Sequence, residues 1–103
     1  MAQIRFDLNP AKLTNPDLDI RYQLPDRLAA IPKSTMTDNG YDYSEDEPPV
    51  LMVFVNSEEP DTDLELAVRF LSTNTVLENK VLHAATIFTS DDAEEWKQRY
   101  PAC

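Results

Sequence analysis

Val50-Leu51-Met52-Val53-Phe54-Val55 is the most hydrophobic run in the chain, and it lies inside an otherwise acidic stretch. Residues 34–68 carry Asp38, Asp42, Glu45, Asp46, Glu47, Glu58, Glu59, Asp61, Asp63 and Glu65 and no lysine or arginine. An apolar run without two-fold alternation predicts a strand over residues 50–56 covered on both faces. Acid-rich loops on either side of such a strand predict a rigid scaffold presenting negative charge.

Downstream, Pro60 and the capping-box pattern Thr62-x-x-Glu65 predict a helix over residues 62–73, with Asp61 and Asp63 at the positive end of its dipole. Leu64, Ala67, Val68 and Leu71 recur at i, i+3, i+4 and i+7 and mark its buried stripe, which Phe70 widens. Over residues 80–90, Val81, His83, Ala85 and Ile87 alternate with Leu82, Ala84, Thr86 and Phe88, which predicts a further interior strand. Strand, helix and strand in that order imply a right-handed crossover, with the two strands parallel and adjacent or one strand apart. Ser90, four early acids, the late bases Lys97 and Arg99 and then Pro101 predict a terminal helix over residues 91–100. Trp96 and Tyr100 would share one side of it, and Glu95 would pair with Arg99.

Upstream, residues 4–8 alternate apolar and polar as a half-buried strand does. Residues 18–24 alternate over a longer span, which places Leu18, Ile20, Tyr22 and Leu24 on one strand face before Pro25 breaks it; a short helix over 27–31 follows. Residues 33–49 read as a long connection with a turn at Asn39-Gly40 and a short strand at 41–43. The sum is an α+β fold: a small, mostly antiparallel sheet of four to five strands with one βαβ crossover, the main helix 62–73 packed on one face, and a short C-terminal helix 91–100. At 103 residues the chain has room for one acidic domain, 1–103.

Nine bases against nineteen acids give 9 − 19 = −10. Phosphate backbones and anionic membranes require clustered Lys and Arg, so direct nucleic-acid and membrane binding are disfavoured, whereas encounter with a cationic partner is accelerated. The N-terminal residues lack the basic start and apolar core of a signal peptide, which makes the cytoplasm the expected location. Cys103 has no partner cysteine, and a single glycine, Gly40, leaves no phosphate-cradling loop. His83 is the only histidine; amid alanines in mid-strand it reads as a core residue rather than a catalytic base, and with the sole cysteine at the terminus it cannot build a zinc site. Asp42-x-Ser44-x-Asp46 begins like a calcium loop, but Glu47 stands where glycine is needed and Val53 where the bidentate acid belongs. The expectation is therefore a protein without catalytic groups, metal or cofactor.

Tyr41-Asp42-Tyr43 interleaves aromatics with acid beside Glu45-Asp46-Glu47, a combination suited to occluding a basic active site. The expected function is that of an acidic protein-binding inhibitor of the immunity or antitoxin type, neutralising a basic toxin or nuclease-like domain. Its expected partner-binding residues are Tyr41, Asp42, Tyr43, Glu45, Asp46 and Glu47, joined by Glu58 and Glu59. The alternative is a non-catalytic structural or assembly module forming a homo-oligomer through a sheet edge.

Overall fold

The computed structural model describes residues 2–13, 19–45, 49–92 and 94–101. Strands β1 (Ala2–Leu8) and β3 (Leu51–Ser57) bury every second residue, and they pair antiparallel along their whole length, from Ala2 opposite Ser57 to Leu8 opposite Leu51. Strand β4 (Ala85–Ser90) pairs antiparallel with the other side of β1. Strands β2 (Thr37–Tyr43) and β5 (Lys97–Tyr100) close the two edges, giving the order β2-β3-β1-β4-β5 with every pairing antiparallel. An α+β fold is the result. β3 and β4 run in the same direction but are never hydrogen-bonded to each other, because β1 lies between them.

Helices α1 (Ile20–Ala29) and α2 (Pro60–Thr73) supply the second layer. Ile4, Phe6, Leu8, Val53, Val55 and Ile87 point into it and are completely buried, together with Leu24 and Leu28 of α1 and Ala67 of α2. The other sheet face carries Met52, Phe54 and Phe88, each half-buried. β3 is thus covered fully on one side only. Trp96 lies on this second face, its ring 6.0 Å from that of Phe54, and the Arg5 guanidinium stacks 4.3 Å from Phe88 and 4.9 Å from Trp96.

Four expectations from the sequence are corrected. Within residues 18–24, the described part from Ile20 onward is helix rather than strand: Ile20, Leu24 and Leu28 repeat at i and i+4, and their burial against the sheet outweighs the backbone hydrogen bond lost at Pro25, itself buried inside α1. Residues 80–90 are not one strand, since a 3-10 turn at Val81–His83 precedes β4 and leaves His83 exposed. In place of the C-terminal helix, 97–100 pair with β4, Trp96 and Tyr100 separate to the open face and the core, and Arg99 bonds Asp61 at 2.8 Å instead of Glu95. Asn39-Gly40 does not reverse the chain; Gly40, at φ +90°, forms a bulge within β2.

The capping box is also replaced. α2 begins at Pro60 with Glu59 as its cap residue, and Asp63 is fully buried. Its carboxylate accepts hydrogen bonds from the Thr35 backbone N–H at 3.0 Å and from the hydroxyls of Thr35 and Ser57. One acid thereby ties the loop before β2, the end of β3 and the first turn of α2 together. The Thr35 hydroxyl in turn accepts the Glu58 N–H at 3.0 Å, and the Ser57 hydroxyl accepts the Glu59 N–H at 3.2 Å. Asp63→Ala is expected to lower unfolding stability by about 3 kcal/mol in urea denaturation, since it strands several buried donors. A loss below about 1 kcal/mol would show that the carboxylate does not hold these elements.

Candidate protein-binding surface

Because β2 is an edge strand, the alternation of its side chains decides what the protein presents there. Tyr41 stands opposite Val53 and Tyr43 opposite Leu51, so both tyrosines point to the helix side, where α1 offers Arg21 and Tyr22. The Tyr22 and Tyr41 rings meet edge-on at 5.9 Å, and Tyr41 and Tyr43 do the same at 5.9 Å. The Arg21 guanidinium lies 4.8 Å from the Tyr22 ring and 4.9 Å from the Tyr41 ring, and its Nη1 donates a long 3.5 Å hydrogen bond to the Tyr43 hydroxyl. The tyrosines hold the charged form of Arg21 above the ordinary arginine range, Tyr43 most of all. Tyr41 is pushed above the ordinary phenol value, chiefly by the neighbouring Tyr22 hydroxyl.

Tyr22, Tyr41 and Tyr43 are 47%, 38% and 37% exposed, and they are the large apolar side chains that stand out in solvent among the described residues. Scattered exposed aromatics carry no message, but three joined through Tyr41 form a surface. Sequence alternation mispaired Tyr22 by reading its segment as a strand. The signal that could have found it is the i, i+4 spacing of Ile20, Leu24 and Leu28.

The acids expected to join this surface divide into three groups. Asp42 pairs opposite Met52 and so projects toward the open sheet face, where its carboxylate accepts the Tyr43 N–H at 2.8 Å. Glu45 is exposed just beyond β2, next to Tyr43; Asp46 and Glu47 lie outside the described residues. Glu58 and Glu59 are exposed beyond the opposite end of β3, about 20 Å from the Leu51 end by strand rise. Glu58 and Glu59 therefore lie apart from Tyr43 and Glu45 at the other end of the strand pair. Two further acids of the stretch are neutralised by bases from elsewhere, Asp61 by Arg99 and Glu65 by Arg69, each at 2.8 Å. Asp63 is buried. Of the remaining described acids, Asp38 and Asp42 lie along β2, Asp42 on the face opposite the tyrosines, and Glu45 follows β2.

Asp38 and Asp42 also shield the edge. The Ser44 N–H bonds the Val50 carbonyl across to β3, so by alternation the Tyr43 N–H points away from the sheet, and Asp42 takes it; Asp38 takes the Gly40 N–H at 2.8 Å in the bulge. A bulge and self-capped amides are devices that stop another strand from adding to an edge.

Away from this surface, an open groove of about 480 Å³ runs over the ends of β1 and β4 and includes Asp7, Asn9, Lys12, His83, Phe88 and Tyr100. Partial burial raises the Asp7 carboxyl above its ordinary value, and Arg5 at 2.8 Å offsets part of that. Among the described residues no three His, Cys, Asp or Glu side chains are grouped to hold a metal ion, and no helix is long and apolar enough to cross a membrane. Comparison with protein-family models, curated proteins and solved structures finds no match to the chain.

Removing the two self-caps should reopen the edge. Asp38→Ala/Asp42→Ala is expected to self-associate with rising concentration in sedimentation velocity, while Asp26→Ala/Asp91→Ala, with the same charge change, behaves like the parent. Identical sedimentation of both variants would mean that the caps do not guard β2.

Proposed function

We propose that the protein is a non-catalytic, acidic protein-binding inhibitor of the immunity or antitoxin type, which meets a basic toxin or nucleic-acid-processing domain through the Tyr22–Tyr41–Tyr43 surface. The observation that carries this reading is the convergence of the exposed tyrosines from α1 and β2 at one place, with β2 also carrying Asp38 and Asp42 and followed by the exposed Glu45. Tyrosine presents a large, stiff contact area at small entropic cost, and adjacent carboxylates select cations at the rim. A net charge of −10 steers a positively charged partner toward the protein from a distance. Recognition is by side chains, since the edge backbone is capped. The cytoplasm is the proposed site of action, where a producing cell would need such protection.

The alternative, a structural module that assembles through a sheet edge, draws no support from β2, whose bulge and caps oppose strand addition.

The test is capture of the partner on immobilised full-length protein from a lysate of the source organism, followed by affinity measurement on the recovered pair. Tyr22→Ala, Tyr41→Ala and Tyr43→Ala, each confirmed folded, are expected to weaken the complex by about 30-fold for the central residue and less for the flanking ones. Raising salt from about 0.05 M to about 0.5 M is expected to slow association by about tenfold or more. Affinity indifferent to all three substitutions, or association indifferent to salt, would contradict the reading.

A further inference from the structure

Arg21 is out of place in a chain so rich in acid. No carboxylate of the described residues pairs with it or with Arg27, although Arg5, Arg69 and Arg99 each have one, and of these two only Arg21 is held among aromatic rings. Its Nε is buried and has no hydrogen-bond acceptor, and the bond from Nη1 to Tyr43 is at the long limit. The Nε lies out of reach of an outside group, so a ligand would be taken by the Nη groups, of which Nη1 makes only that long bond to Tyr43. The guanidinium is also fixed in place by the rings of Tyr22 and Tyr41, so binding to it would require little further ordering.

We propose that Arg21 is a carboxylate receptor at the centre of the tyrosine surface, accepting an acidic side chain or a free chain terminus of the partner. This rests on the reading of that surface as the binding site. A singly charged carboxylate fits better than a phosphate dianion, because the protein's net charge of −10 repels the second charge more than the first. The partner surface is accordingly not uniformly basic: it places one acid among cations. A cationic active site that processes nucleic acid commonly has that composition, with carboxylates holding its metal ions or acting as general base.

Three synthetic peptides test this on the full-length, ¹⁵N-labelled protein: Lys-Lys-Asp-Lys-Lys blocked at both ends, the same peptide with Asn for Asp, and the Asn peptide with a free C-terminal carboxylate. The shielded Arg21 Nε–H gives a direct NMR signal at the site. The Asp peptide or the free-terminus peptide, whichever matches the source of the carboxylate, is expected to shift that signal and to bind about tenfold more tightly than the blocked Asn peptide. Arg21→Gln should abolish the difference, and Arg21→Lys should keep part of it. Equal binding of all three peptides with shifts at Tyr22, Tyr41 and Tyr43 would overturn the carboxylate receptor and leave the tyrosine surface standing. No shift at those tyrosines with any peptide would overturn both.

Discussion

The arrangement of β1 between β3 and β4, with both helices on one face, governs everything else in this molecule. Ile4, Phe6 and Leu8 are fully buried at the centre of that layer, and each contributes about 1.5–3 kcal/mol by leaving water. The register that buries them also fixes β3, because a slip of one residue would turn Val53 and Val55 toward the open face. β3 in turn fixes the phase of β2. Tyr41 and Tyr43 then must point toward α1, and Asp42 must point away.

The tyrosine surface follows from that phase. α1 lies beside β2, so Arg21 and Tyr22 are brought to Tyr41 and Tyr43 by packing of the opposite helix face, through Ile20, Leu24 and Leu28. The surface is therefore built on two rigid elements. Charge is distributed by position: Asp61 and Glu65 on α2 are paired with arginines, Asp63 is consumed in the frame, and Asp38 and Asp42 cap amides of β2. Negative potential near the edge discourages a second strand from docking there, and in the proposed function it would also steer a cationic partner.

Long periodic segments were legible in the sequence. The alternation of residues 4–8, the apolar run 50–56 and the stripe Leu64, Ala67, Val68 and Leu71 each correspond to the expected element within a few residues. Segments whose pattern fits two periods were not. Ile20, Tyr22 and Leu24 satisfy a two-fold alternation as well as Ile20, Leu24 and Leu28 satisfy a helical one, and Pro25 argued for the wrong choice. At the C-terminus the charge order favours a helix, but pairing of 97–100 with the open edge of β4 and the packing of Tyr100 on the core prevail. Tyr41, Asp42, Tyr43 and Glu45 could be singled out from local composition. Arg21 and Tyr22 could not, because their proximity depends on a helix that the sequence disguises, and the sequence does not show that β3 separates Glu58 and Glu59 from Tyr43 and Glu45 by its whole length.

The account is tested most directly by hydrogen–deuterium exchange of the protein alone and bound to its captured partner. Slowed exchange confined to residues 19–24 and 38–45, with residues 52–54 and 86–88 unchanged, is the predicted result. Protection centred on the Met52, Phe54, Phe88 and Trp96 face, with the tyrosine surface unaltered, would contradict it.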